Sequence, residues 1–471
     1  MIDDFERCYR LIQSRDRRYD GVFYSAVTTT RVYCRPSCPA RMPKREHTRF
    51  YATAAAAQAA GFRACKRCRP DAAPGSPTWS WRADTTARAV RLIAEGAVDR
   101  DGVGGLARRL GFSERHLRRL LVDEVGTGPI ALARAHRAQT ARLLIESTAL
   151  PLSEVAFAAG FRSLRQFNET IRAVFAFTPS ELRRRSAGGV RSFGAVEVRL
   201  SVREPFDGNA LLRFLGERAV PGVEEVEGRT YRRALRLAYG GGVVELTPER
   251  DAVSAVLHLD DVRDLGSAIA RCRRLLDLDA DPFAIRDTLG DDAVIGPLVR
   301  AHPGLRLPGC VDEEELVLRT CLGERLTSPM ARKSAGGLSA RLGTRLSQPV
   351  GRVTHLFPTA SALATTDPSA LPVSEPAREK LHRWANLLAE GPHLKNALLT
   401  RLDADYRGGA AGYVAMRGLH DPDVLPVSDR GLERAVRTLG RRTLSSLQER
   451  WRPWRSYAAV QLWHIDAGNG R

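Results

Sequence analysis

Apolar residues recur at helical spacing between residues 84 and 186, and the pattern repeats itself. Leu106-Ala107-x3-Gly111-Phe112 returns 49 residues later as Val155-Ala156-x3-Gly160-Phe161, and each copy is followed by a Ser-started, Arg-rich stretch. Such a repeat predicts two similar helical subunits in tandem, each a helix, a Gly-Phe turn and a second helix capped by Ser113 or Ser163. The second helices are expected at about Glu114–Val122, over buried Leu117, Leu120 and Leu121, and at about Leu164–Val174. Clusters of turn residues at Ala72–Thr78 and Ser186–Val190 frame this segment. Beyond residue 190 the texture changes: Ala195–Leu200 and Gly242–Leu246 alternate or run apolar as strands do, with an amphipathic helix at Asn209–Glu217 between them. That predicts an α+β unit. From about Ala270 strand signals fade, while Glu313–Cys321, Ala377–Glu390 and Leu432–Leu439 carry apolar residues at helical spacing, so the C-terminal domain is expected to be all-helical.

Length adds that 471 residues make three or four folded units, and 43% hydrophobic content suffices for a core in each. No apolar run approaches the roughly 20 residues of a membrane span, which argues against membrane function. Charge is uneven: residues 1–190 hold 33 Lys+Arg against 18 Asp+Glu, leaving 40 against 36 for the rest. Nearly all the cations are Arg, the forked partner for phosphate, so the N-terminal part is expected to meet a polyanion, most simply nucleic acid. The acidic start Met-Ile-Asp-Asp-Phe-Glu carries no leader pattern, so a cytoplasmic, nucleoid-associated location is expected.

Four of the eight cysteines fall into two pairs, Cys34/Cys38 and Cys65/Cys68, about thirty residues apart. Two turns with two thiols each are the pattern of a tetrahedral zinc-thiolate site. A purely structural zinc knuckle is the ordinary reading of that spacing, while redox chemistry fits less well because no strand-helix-strand pattern surrounds the pairs.

Arg31-Val-Tyr-Cys34-Arg-Pro-Ser-Cys38-Pro-Ala-Arg and Ala60-Gly-Phe-Arg-Ala-Cys65-Lys-Arg-Cys68-Arg-Pro-Asp resemble the N-terminal domain of Ada-type adaptive-response proteins. The resemblance implies that one Zn²⁺ is held by Cys34, Cys38, Cys65 and Cys68. It also implies that Cys34 takes a methyl group from a methylphosphotriester in the DNA backbone. The chemistry is coherent: zinc keeps a thiol ionised at neutral pH, and the thiolate is the nucleophile. Four thiolates on Zn²⁺ carry a formal charge of about −2, and methylating one sulfur removes a unit of repulsion toward phosphate. Basic residues around the pairs (Arg31, Arg35, Arg41, Lys44, Arg45, Lys66, Arg67, Arg69) are candidates to hold the DNA backbone, although any one of them can equally be part of a solvated face.

In the tandem repeat the first recognition helix would expose Arg115, His116, Arg118 and Arg119, and the second Arg165, Gln166, Asn168 and Arg172. These side chains suit base edges and phosphates in a major groove, though solvent-facing polar sides read the same way. Gly160-Phe161-x-Ser163-x3-Phe167 and Phe177-Thr178-Pro179-Ser180-Glu181-Leu182-Arg183 resemble the AraC-type DNA-binding domain. An Ada-type zinc domain before an AraC-type domain is the arrangement of methylation-activated transcription factors. No Pro-Cys-His-Arg sequence occurs, so no second methyl acceptor is expected.

In the C-terminal half, Phe214–Val226, Tyr413–Arg417, Asp421–Asp429 and Glu449–Ala458 resemble AlkA-type 3-methyladenine DNA glycosylases of the helix-hairpin-helix superfamily. That implies Asp429 as the catalytic carboxylate, with Tyr413 and Trp463 lining the base pocket and no cofactor for the glycosylase. By itself Asp429 reads as a helix cap and Trp463 as core. Two stretches depart from the family: Asp403–Ala411 displaces the hairpin glycines and adds two acids, and Gly323–Thr327 lacks a polar pair that probes the opened duplex. A lysine is missing from the hairpin position used by lyase-type relatives, so simple hydrolysis is expected.

The resulting expectation is a multidomain, mostly α chain. A small α/β zinc domain (1–78) precedes an all-α double helix-turn-helix (82–187), an α+β AlkA-type N-terminal domain (193–275) and an all-α helix-hairpin-helix glycosylase domain (276–471). It would combine methyl transfer to zinc-bound Cys34, methylation-activated transcription and base excision. The competing expectation is a methyl-sensing regulator whose glycosylase-like half is inactive. Expected partners are double-stranded DNA and RNA polymerase, with the chain a monomer.

Overall fold

The computed structural model describes residues 4–16, 19–68, 70, 84–185, 195–323, 329–390, 410–426, 429–440, 444 and 447–469. Contacts divide the chain into two compact units, Met1–Arg203 with Asp261–Ala270, and Glu204–Asp260 with Arg271–Arg471.

In the first unit, a four-stranded sheet runs in the order Thr48–Tyr51, Tyr24–Val27, Val32–Cys34, Arg63–Ala64. The first two pairings are antiparallel, but Val32–Cys34 meets Arg63–Ala64 in parallel, with Tyr33 opposite Ala64. That pairing puts the end of one strand, Cys34, beside the start of the second cysteine turn, and Cys65 N donates to the Tyr33 carbonyl at 3.0 Å. Buried Cys8, Tyr9, Ile12 and Phe23 form the core beneath, with Phe50 edge-on to Phe23 at 5.6 Å.

The tandem repeat is helical, with a kink at Gly102 (φ 69°) inside Ala97–Leu110. Ala97–Leu110 leads through Gly111, at φ 76°, into Glu114–Val125, and Leu152–Ala158 leads through Gly160, at φ 83°, into Leu164–Phe175. Both second helices are capped as expected: Ser113 Oγ accepts from His116 N at 3.3 Å and Ser163 Oγ from Gln166 N at 3.2 Å. Leu117 and Leu121 are fully buried, whereas Leu120 is half-buried, so the first helix turns a narrower stripe inward than its sequence suggested. The 19-residue helix Pro129–Ser147 connects the halves and contributes Leu132, Ala133, Leu144 and Ile145 to their cores.

In the second unit, Glu224–Glu227, Thr230–Arg236, Gly241–Pro248 and Ala252–Leu259 form an antiparallel meander. The expected helix is Gly208–Gly216, started by Asp207, which accepts from Ala210 N at 2.9 Å. A buried ion network joins the sheet to helix Glu313–Gly323: Glu224 meets Arg233 at 3.1 Å and Arg319 at 2.9 Å, and Glu315 pairs with both arginines. Among the described residues the rest is helical with one exception to expectation, a hairpin of Arg345–Val350 and Val353–His355. Only Leu346 of its first strand is buried and Pro349 interrupts it, so no alternating pattern marks it in the sequence. It is fixed instead by Thr354 N and His355 N donating to the Gly222 carbonyl at 2.8 and 2.9 Å. Among the described residues no helix is long and apolar enough to cross a membrane.

Candidate functional site

The sulfurs of Cys34, Cys38, Cys65 and Cys68 all lie within 4.8 Å of one another. Tetrahedral Zn–S bonds place sulfurs about 3.8 Å apart, so the four soft donors fit a single zinc ion. Cys34 and Cys68 are buried, and Cys38 and Cys65 are half-buried. Their sulfurs differ in hydrogen bonding. A backbone amide donates to each of three: Ala40 to Cys38, Cys68 to Cys65, and Arg35 to Cys68. The Cys34 sulfur meets those of the other three cysteines. Hydrogen bonds shared with those cysteines, together with burial, push the Cys34 thiol up, so a cation is what would ionise it.

The turn carrying Cys34 and Cys38 is braced from outside. Asp20, 6% exposed, accepts from Ser37 N at 3.0 Å and from Ser37 Oγ at 2.6 Å, and Arg35 Nε lies 3.4 Å from the same carboxylate. Several nearby cations are therefore occupied. Arg35 faces Asp20, Lys66 stacks on Phe177 at 3.8 Å, Arg31 lies over Phe62 at 5.6 Å, and Arg45 pairs with Glu6 and covers Tyr9 at 4.9 Å. Lys44 faces Glu46 at 3.9 Å. Arg41 and Arg67 are exposed, with no side-chain partner among the described residues, and Arg69 lies outside them.

On the first recognition helix Arg115, Arg118 and Arg119 are exposed, while His116 is half-buried, stacked on Phe112 at 4.8 Å and 3.5 Å from Arg119. On the second, Arg165, Gln166, Asn168 and Arg172 all face solvent, with Arg165 drawn to Glu169 at 2.9 Å.

In the second unit, Tyr413 and Trp463 are brought together edge-on, ring centroids 6.1 Å apart. Phe214, which the sequence did not mark as a pocket residue, stacks on Trp463 at 5.8 Å. Nor did the sequence mark two arginines: Arg417 Nη1 donates to the Tyr413 hydroxyl at 2.6 Å, and the Arg218 guanidinium covers Phe214 at 3.6 Å. Burial alone would raise the Tyr413 hydroxyl, but Arg417 and Arg218 hold it below the ordinary phenol range. Asp429 is fully buried and caps helix Arg430–Thr438, its Oδ1 accepting from Leu432 N at 2.8 Å. The cap reading of Asp429 is thus realised. Asp429 N donates to the Pro426 carbonyl at 2.9 Å, and Gly412 lies so close to Pro426 that a Cβ would sit 3.1 Å from the proline Cα. The departed stretches at 403–409 and 324–327 lie outside the described residues.

A four-thiolate centre beside paired helix-turn-helix elements, together with an α+β and helical unit carrying an aromatic cluster, defines a multidomain DNA-binding repair protein. Residues 7–71 match the metal binding domain of Ada, residues 106–185 a helix-turn-helix domain, and residues 197–312 the AlkA N-terminal domain. A probable bifunctional transcriptional activator/DNA repair enzyme AlkA of Mycobacterium tuberculosis is 50% identical over 98% of this chain and 97% of its own length. The chain belongs to that family of AlkA-type bifunctional activator/repair proteins. DNA-3-methyladenine glycosylase 2 of Escherichia coli is 32% identical over 57% of this chain and 96% of its own length. A 3-methyladenine DNA-glycosylase from Archaeoglobus fulgidus shares the fold, with TM-score 0.50 and 18% identity over 57% of this chain and 98% of that one.

Proposed function

We propose that the chain couples methyl-group sensing on DNA to transcription and to excision of alkylated bases. One observation carries the first activity: the four cysteine sulfurs lie within 4.8 Å of one another, with Cys34 buried at the end of its strand. Hydrogen bonds to a thiolate draw off charge, and backbone amides lie on Cys38, Cys65 and Cys68, which favours Cys34 as the nucleophile. A zinc ion, which the four cysteines would hold, would supply the ionised state. Cys34 Sγ attacks the methyl carbon of a methylphosphotriester, the C–O bond breaks with its electrons going to oxygen, and an ordinary phosphodiester leaves. The product thioether removes one negative charge near the DNA. Arg41 and Arg67, both exposed, hold the DNA backbone in this reading, and the exposed faces of both recognition helices read a promoter in double-stranded DNA. Recruitment of RNA polymerase by a monomeric chain in the cytoplasm completes this reading.

For the second unit, the support is the cluster of Phe214, Tyr413 and Trp463 together with the burial of Asp429. A flipped base enters among the rings, its glycosidic bond breaks with the electrons leaving on the base, and Asp429 stabilises the positive sugar while water adds. No cofactor is needed in this scheme. Incubating the protein with DNA containing 3-methyladenine should release free base, and Asp429→Asn should release at least a hundredfold less; equal release would end the glycosylase reading. Mass spectrometry after exposure to methylphosphotriester DNA should find one methyl on Cys34 and one zinc per chain. A methyl on Cys38 would overturn the acceptor assignment.

A further inference from the structure

The amide groups of the turn Cys34-Arg35-Pro36-Ser37-Cys38 can be followed one by one. Arg35 N donates to Cys68 Sγ, Pro36 has none to give, Ser37 N goes to Asp20 Oδ1 at 3.0 Å, and Cys38 N goes to the Arg35 carbonyl at 3.1 Å. Three of these fates are internal to the two cysteine turns. The fourth depends on a carboxylate fourteen residues upstream of Cys34. Asp20 takes both the amide and the hydroxyl of Ser37, which lies between Cys34 and Cys38 in the same turn. Asp20 is in turn fixed from far along the chain. Arg203, 6% exposed and inside the AlkA N-terminal match, donates to its backbone carbonyl from Nε at 3.2 Å and Nη2 at 3.0 Å.

We propose that Asp20 is the positioning residue that makes Cys34 the reactive sulfur, by capturing the Ser37 donors that would otherwise quench it, and that Arg203 holds Asp20 in place to do so. This rests on Cys34 as methyl acceptor. It adds the reason for that choice and ties the sensor to a residue at the start of the glycosylase-like half.

The test uses the full-length, zinc-loaded protein and methyl iodide as a probe that needs no DNA, with the methylated cysteine mapped by mass spectrometry. Asp20→Ala should keep its zinc yet methylate Cys34 about tenfold more slowly, the effect of one new hydrogen bond to a charged sulfur. In the cobalt-substituted protein, the sulfur-to-cobalt charge-transfer band should move to higher energy as the Ser37 donors turn to the thiolate. Asp20→Asn retains an oxygen acceptor for the Ser37 amide and should stay within about twofold of the unaltered protein. Arg203→Met should slow the reaction in the same direction by less. An unchanged rate and band in Asp20→Ala, loss of its zinc, or equal impairment in Asp20→Asn would overturn the Asp20 role, and a normal rate in Arg203→Met would remove Arg203 from it. If the unaltered protein is methylated on another cysteine, by both methyl iodide and methylphosphotriester DNA, the acceptor reading fails instead.

Discussion

Arg417 and Tyr413 are locked together, Nη1 donating to the phenolic oxygen at 2.6 Å, while the same guanidinium donates to the carbonyls of Pro308 and Gly309 at 2.9 Å each. One buried cation thus ties a wall of the aromatic cluster to the turn before helix Glu313–Gly323. Arg417→Met would leave three buried acceptors without this donor. The variant should lose about 3 kcal/mol or more in chemical denaturation and excise base at least tenfold more slowly. Ultraviolet difference titration should show the Tyr413 hydroxyl ionising at higher pH, because the flanking charge that lowers it is gone.

Acid stability should report the buried network beneath the sheet. Burial would raise Glu224, but Arg319 and Arg233 outweigh it and bring its carboxyl down to about 2. A depressed carboxyl stabilises the folded state fully above its unfolded value of about 4.3 and loses that contribution as pH falls through the folded value. The midpoint of chemical denaturation should therefore drop between about pH 5 and pH 2. In Glu224→Gln that pH-dependent loss should shrink, from a lower starting stability because two buried arginines lose a partner.

Stripping zinc with a strong chelator should unfold the sheet around the cysteines, since four sulfurs so close have little other reason to stay together. Circular dichroism should show partial loss of structure restored by added zinc, and sequence-specific DNA binding should keep its helix-turn-helix component.

Exposed cations on the two recognition helices should appear in the salt dependence of DNA binding. Arg118→Ala and Arg172→Ala, both at solvent-facing positions, should each lower the slope of log affinity against log salt by about one. Leu117→Ala, at a fully buried position on the first of these helices, should instead cost about 2–5 kcal/mol in stability.

The chain order carries a good deal of this protein openly. Helix starts at Ser113 and Ser163, the Gly-Phe turns, the strands at 196–201 and 241–248, and the four-cysteine cluster all follow from short-range patterns, because caps, turns and metal turns are built from neighbours in sequence. Asp429 shows where this stops: its sequence reads as a helix cap, and a cap it is, but only folding buries it and sets its turn against Gly412.

What the sequence by itself determined is the kind of chemistry at each site, since thiol pairs, arginine-rich helices and aromatic positions are fixed by composition and local spacing. Tertiary structure decided which members of each set are used. It gave Ser37 to Asp20, set Lys66 over Phe177 and Arg35 against Asp20, added Phe214 beside Trp463, and closed a hairpin where a proline broke the strand pattern. These contacts span up to 183 residues, as between Asp20 and Arg203. Periodicity carries no record of such distances, because it reports which face of an element is buried and not what it is buried against.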